Sequence, residues 1–150
     1  MDFHTSQSVA QVIQLAVTPV FLLVGIGSLL NVMAMRLGRV VDRARLLESE
    51  ISEQSIVPED SPALEELAVL DRRIVFCNWA INFSTIAALL IAFMIALLFL
   101  SDLARTDASR LVAILFVLTM ASITLGLCAF LMEIAVASRT IRVRSGLLKK

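Results

Sequence analysis

One carboxylate lies inside an otherwise apolar stretch of the sequence. Glu133 is the only charged residue between positions 111 and 137, and it stands six residues before Arg139, where a basic segment begins. An acid at such a depth of a membrane helix costs free energy, and it is usually found paired with another group or lining a polar path. Ion pairing, hydrogen bonding across helices and ion coordination are therefore the chemistries open to Glu133.

Polar groups from two other apolar stretches are predicted at the level of Glu133. They are three asparagines and three arginines that could pair with it: Asn31, Asn78, Asn82, Arg36, Arg39 and Arg73. Two uses stay open, a structural clasp between helices and a water-filled ion path. Catalysis would require a nucleophile, a second acid or a metal-binding set beside them. The sequence presents none of these, so we expect no enzymatic activity, no metal and no cofactor.

The elements that carry these residues are three long apolar stretches, near residues 10–35, 74–100 and 111–137. The chain is 59% hydrophobic and 17% charged, and each stretch exceeds the ~20 residues that cross a bilayer core. The first ten residues contain no Lys or Arg, which argues against a cleaved signal peptide. The sequence predicts an all-α integral membrane protein with three transmembrane helices in one domain.

Basic residues are distributed unequally between the loops. Eleven of the thirteen Lys and Arg residues follow the first or the third stretch, and only Arg105 and Arg110 lie between the second and the third. Short basic loops remain in the cytoplasm. This asymmetry predicts an outer N-terminus and a cytoplasmic C-terminus.

The segment of residues 36–73 is predicted to form a cytoplasmic helical hairpin. A 3-4-3-4 seam typical of coiled coils continues the first helix, and its residues are Leu37, Val40, Ala44, Leu47 and Ile51. Ser61 and Pro62 have the types preferred at the start of the returning helix. From Glu48 to Glu66 there are acids and no bases. This acidic tip is either a solvated surface or a docking surface for a protein or a cation.

Small residues indicate where helices pack closely. In the second stretch they recur at every fourth position: Ala80, Ser84, Ala88, Ala92 and Ala96. Ser122 and Gly126 continue such a face towards Glu133 in the third stretch, and Gly27 offers a close approach in the first. These residues are predicted to pack within the chain or between copies of it.

A basic belt flanks the predicted cytoplasmic surface. Its members are Arg36, Arg39, Asp42, Arg43, Arg45, Arg73 and Arg139. Anionic lipid headgroups attract such residues by roughly 1 kcal/mol each, and arginines at a pore mouth would favour anions. We expect lipid contact to be the main use of most of them.

Several motifs resemble a family of small bacterial membrane proteins. The first stretch contains Thr18-Pro19 and Leu29-Leu30-Asn31, and it is followed by Arg36-Leu37-x-Arg39-x-x-Asp42-Arg43-x-Arg45. Together with the later FLMEIAVASRTIR, this pattern is similar to the three-span family catalogued as domain of unknown function 2721. The resemblance implies a protein of the bacterial inner membrane and supplies no activity.

Two hypotheses for the function follow. Three helices enclose little space, so a pore requires several copies, and the first hypothesis is a homo-oligomeric ion channel whose path is lined by the polar groups near Glu133. The alternative is a non-conducting scaffold or regulatory subunit that docks a cytoplasmic protein through its acidic tip. Neither involves nucleic acid.

Overall fold

The computed structural model describes the backbone of residues 3–53, 61–104 and 106–147, and the side chains of residues 13–52, 61–104 and 106–138. These residues form three helices: α1 (Phe3–Glu53), α2 (Pro62–Ala104) and α3 (Ser109–Leu147). No strand occurs among the described residues. Part of the predicted acidic tip (residues 53–60) and the Arg139 side chain of the basic belt lie outside the described side chains.

All three helices are long and apolar enough to span a membrane, so the prediction of an all-α protein with three such helices is confirmed. α1 has 51 residues, which at 1.5 Å per residue is about 75 Å. A bilayer core is only ~30 Å thick. α1 therefore extends well past any membrane that it crosses, and it does so without a break at Gly38.

The chain divides into two compact units. Unit 1 comprises residues up to Leu30 together with Phe83–Leu125. Its core contains Ile26, Ala87 and Ile91, with partly buried aliphatic side chains packed around them. A hydrogen bond also joins α3 to α2 in unit 1, because the hydroxyl of Ser122 donates to the carbonyl oxygen of Phe83 at 2.8 Å. Ser122 is one of the residues predicted to pack.

Unit 2 comprises Asn31–Asn82 and the chain from Gly126 onwards. One of its cores joins α1 to α2 through Val40, Ala44, Leu47 and Leu70. The first three are the central residues of the predicted seam, and its outer members Leu37 and Ile51 are half-buried. The seam thus packs against α2 within the same chain.

α2 begins where the sequence predicts. Pro62 is its first helical residue. The carbonyl oxygen of Ser61 accepts a hydrogen bond from the N–H of Leu64 at 3.0 Å, and the Ser61 hydroxyl accepts one from the N–H of Ala63 at 3.4 Å. Proline has no N–H to leave unsatisfied at this position, so the pair forms a stable helix start.

The predicted stripe of small residues does not form a single packed face within the chain. Ala80 and Ser84 are buried, but Ala88 is half-buried, and Ala92 and Ala96 are exposed. The buried positions of α2 instead begin with Leu70 and Cys77, seven residues apart, and then recur at alternating spacings of three and four: Cys77, Ala80, Ser84, Ala87, Ile91 and Met94. A four-residue step drifts ~40° around a helix of 3.6 residues per turn, whereas a 3.5-residue average stays on one face.

The small residues of the other two helices differ in their burial. Gly126 is buried in α3. Gly27 is exposed, and a side-chain carbon added there would meet nothing within 4 Å. Gly27 therefore does not provide a close helix approach within the chain. The prediction that Gly27, Ala92 and Ala96 pack against another helix can therefore hold only for packing between copies of the chain.

Candidate functional site

α3 carries Glu133 on its packed face. The buried residues Ser122 and Gly126 precede it by eleven and seven positions, and a seven-residue spacing returns to the same side of a packed helix. The Glu133 side chain is accordingly 0% exposed. An uncompensated carboxylate in such a place would cost several kcal/mol, so its partners determine whether this arrangement is stable.

Two arginines from different helices neutralise Glu133. Arg73 of α2 donates from Nε and Nη2 to Oε1 at 3.0 and 2.8 Å. Arg36 of α1 donates from Nη1 to Oε2 at 2.9 Å. Each carboxylate oxygen therefore has a charged donor, and one acid joins α1, α2 and α3. We refer to Glu133, Arg36 and Arg73 as the Glu133 clasp.

The register of α1 and α2 explains why these two arginines reach the acid. Arg36 lies three residues after the buried Met33, and Arg73 lies three after the buried Leu70. A three-residue step stays on the packed face of a helix. The sequence offered Arg39 as a third candidate, but its side chain is exposed.

The acid of the clasp is completely buried, whereas its two arginines are partly exposed. The Arg36 and Arg73 side chains are 38% and 22% exposed, so part of each side chain reaches the surroundings. The Arg36 guanidinium also lies 5.5 Å from the centroid of the Phe130 ring, within the range of a cation–π contact. Among the described residues no buried side-chain nitrogen or oxygen lacks a partner. This site can hold helices together, because both oxygens of the buried Glu133 are bonded to arginines of other helices.

The three predicted asparagines are not brought to the clasp. The side chains of Asn31, Asn78 and Asn82 are all exposed. Their direction about the helix axis explains this. Asn78 directly follows the buried Cys77, so it is rotated by ~100° from Cys77 around the helix axis. Asn31 precedes the buried Met33 by two residues, which corresponds to a rotation of ~200°. Both therefore point away from the packed face.

The predicted basic belt divides into paired and exposed members. Arg36 and Arg73 belong to the clasp, and Nη2 of Arg43 forms an ion pair with Oε1 of Glu66 at 2.9 Å. The remaining described members are exposed: Arg39, Asp42 and Arg45. The structure therefore leaves Arg39 and Arg45 accessible to anionic headgroups, whereas Arg36, Arg43 and Arg73 bond to acids within unit 2.

Sequence reasoning missed two contacts of the site. The first is Phe130 beside Arg36, and the second is the bidentate mode of Arg73. A signal for the position of Arg73 exists, because Arg73 follows the apolar Leu70 by three residues, a step that stays on one side of a helix. Phe130 has no comparable signal, because its contact depends on how α3 is rotated against α1.

Three long apolar helices joined by a buried and fully paired acid are typical of an α-helical membrane protein. The family model described as "Protein of unknown function (DUF2721)" matches residues 16–143. That is most of the chain, which therefore belongs to this family. No curated protein and no solved structure matches it.

Proposed function

We propose that this protein is a non-conducting scaffold or regulatory subunit of the bacterial inner membrane, and that it is not an enzyme. The observation that carries the proposal is the Glu133 clasp. Its acid is completely buried and is bonded through both oxygens to arginines of two other helices. The group that seemed best suited to an ion path is thus occupied in holding the helices together.

An acid in a conduction path has to be reached by water or by the permeating ion. Glu133 is shielded from both, and a cation approaching it would meet two guanidinium groups first. Opening the clasp would expose a buried charge or leave two arginines without their partner, which is costly. Helix assembly therefore accounts for Glu133 better than ion transfer.

The orientation proposed from the basic loops puts residues 36–73 in the cytoplasm. Within the described part of the acidic tip, three acidic side chains are exposed, namely Glu48, Glu50 and Glu65. Glu66 differs because Arg43 pairs with it. In the proposed function these accessible carboxylates contact a basic surface of a cytoplasmic protein, and the packed seam of α1 and α2 keeps them clear of the bilayer.

A homo-oligomeric channel is the second candidate. The exposure of Asn31, Asn78 and Asn82 favours contacts between copies, because amides in membrane helices bond across helices. Any ion path of such an assembly would run between protomers and would be lined by these amides and not by Glu133.

Ion flux in liposomes separates the two candidates. We expect the purified protein to conduct H⁺, Na⁺, K⁺ and Cl⁻ no faster than liposomes without protein. Any flux above that background would overturn the scaffold proposal, and a flux that is lost in Asn78→Leu but retained by Asp102→Asn, an exposed acid, would support the channel between protomers. Both variants first need melting curves, so that loss of flux is not mistaken for loss of folding.

Cross-linking in cells tests the docking surface. The triple variant Glu48→Gln/Glu50→Gln/Glu65→Gln should lose the cross-linked cytoplasmic protein. Its matched control neutralises three exposed acids elsewhere, Asp42, Asp71 and Asp102, and should keep it. Equal cross-linking in both variants would contradict docking through the acidic surface.

A further inference from the structure

A cavity of about 710 Å³ lies in unit 1 between α1, α2 and α3. Its volume is in the range of ~300–1,000 Å³ that is typical of small-molecule sites. All of its lining residues belong to unit 1, and none belongs to the Glu133 clasp. The site is therefore independent of the function proposed above.

The cavity is apolar along its length and polar at one end. Its aliphatic and aromatic wall includes Leu22, Met94, Leu98 and Phe116. Of the five polar residues among its described lining, four lie between positions 101 and 109, where α2 ends and α3 begins. In a chain whose helices cross a bilayer, this distribution matches an amphiphile, with its chain along the helices and its head at the membrane surface.

The Thr18-Pro19 pair lies on the wall of the cavity. α1 stays helical through Pro19, yet proline has no N–H for the carbonyl oxygen four residues earlier. That carbonyl belongs to Leu15, and both Leu15 and Pro19 line the cavity. The proline interrupts the regular hydrogen bonding of α1, and it does so beside this cavity.

Asp107 supplies a negative charge at the polar end. Its Oδ1 accepts hydrogen bonds from the Ser109 hydroxyl at 2.6 Å and from the Ser109 N–H at 2.9 Å. These bonds lower its pKa, so the carboxylate is ionised at neutral pH. Among the described residues it forms no ion pair. An anionic oxygen beside an apolar cavity is complementary to a cationic head that also donates hydrogen bonds.

We propose that this cavity binds an acyl chain of a phospholipid with a primary ammonium headgroup, of the ethanolamine type. The ammonium bonds to the Asp107 carboxylate, and the chain lies against Leu98 and Phe116. A choline headgroup carries the same charge but has no N–H to donate, so the site discriminates against it.

Fluorescence quenching by brominated lipids tests this proposal. Trp79 is the only tryptophan of the chain, and it is exposed and absent from the cavity lining. The reporter variant Trp79→Phe/Phe116→Trp moves the fluorophore to the cavity. In mixed bilayers, brominated ethanolamine lipid should be enriched at the reporter about fivefold over brominated choline lipid. This ratio corresponds to the net free energy of one hydrogen bond. The native Trp79 should show no preference.

Two pairs of variants, made in the reporter background, test whether the lipid preference depends on Asp107 and whether the quenching depends on the cavity. Asp107→Asn keeps an acceptor for the helix start but removes the charge, and it should weaken the preference because an amide oxygen accepts from an ammonium less strongly than a carboxylate does, whereas Asp102→Asn should retain it. Ala113→Phe fills the cavity and should reduce quenching, while Ala121→Phe, on an exposed position outside it, should not. Equal quenching by both lipids at the reporter, or a preference that is undiminished in Asp107→Asn, would overturn the proposal. So would weak quenching by both lipids with cross-linking of copies at this site, which would identify a second copy as the occupant.

Discussion

Arg73 holds Glu133 more firmly than Arg36 does. It donates two hydrogen bonds to one carboxylate oxygen, whereas Arg36 donates one to the other oxygen. Arg73 is also the less exposed of the two, and water weakens ion pairs that it can reach. The acid therefore depends on both arginines, but unequally.

Neutralising Arg73 should destabilise the protein more than neutralising its neighbour Arg72. Arg73→Gln removes a bidentate partner from a buried acid, and we expect a loss of roughly 2 kcal/mol in the free energy of unfolding. Arg36→Gln should cost less. Arg72 is exposed, so Arg72→Gln is the matched control. SDS titration in mixed micelles measures the differences, and equal losses for Arg72→Gln and Arg73→Gln would contradict the role of the clasp.

Asp107 gives the start of α3 a dependence on acid pH. Its pKa lies below the ordinary value of 3.8, chiefly because the Ser109 hydroxyl and then the Ser109 N–H donate to it. A depressed pKa in the folded state means that the stabilisation is present above the unfolded value and is lost as the pH falls through the folded value. Ser109→Ala should move the titration midpoint of the Asp107 carboxyl upwards, towards 3.8. The carboxyl-carbon NMR shift follows this titration, with Asp102 as the internal reference, and an unmoved midpoint would refute the assignment.

At the scale of the helix, the packed face of α2 passes through Ala87 and not through Ala92. Ala87 is fully buried in the core of unit 1, while Ala92 is exposed. Ala87→Leu should cost about 1–3 kcal/mol, because added methylenes strain a filled core. Ala92→Leu should change stability by less than about 0.5 kcal/mol. SDS titration of both variants measures this, and similar losses would mean that Ala92 packs against another copy.

Hydropathy and spacing are sufficient to predict the elements, because both act along one helix. Three apolar stretches predicted the three helices, Ser61-Pro62 predicted the start of α2, and Val40, Ala44 and Leu47 were predicted to share a buried seam. Position along an axis follows from counting residues, so the level of Glu133 and of the arginines was predictable. Rotation about the axis was not, since it depends on the neighbouring helices. For this reason Asn31 and Asn78 were predicted near Glu133 but point outwards.

At the scale of the whole molecule, those outward amides bear on its state of assembly. Asn31 lies five residues before Arg36, and Asn78 five after Arg73, so both are about 7.5 Å along their helices from the clasp residues. Their side chains are exposed in the single chain. An amide that faces lipid leaves donors and acceptors unsatisfied, and a second amide satisfies both. Contact between copies through these asparagines is therefore the expected arrangement.

The variant Asn31→Leu/Asn78→Leu/Asn82→Leu should dissociate the assembly of copies. Each interhelical hydrogen bond in a membrane is worth about 0.6–2 kcal/mol, so the dissociation constant should rise roughly threefold to thirtyfold for each bond lost. Thr124→Val is the matched control, because Thr124 is exposed but donates to the carbonyl oxygen of Met120 in its own helix. Energy transfer between labelled copies in vesicles, measured against dilution in lipid, gives both constants. A native protein that stays monomeric at every dilution would exclude the homo-oligomer and, with it, any ion path between protomers. The exposed amides would then be expected to contact a different membrane partner.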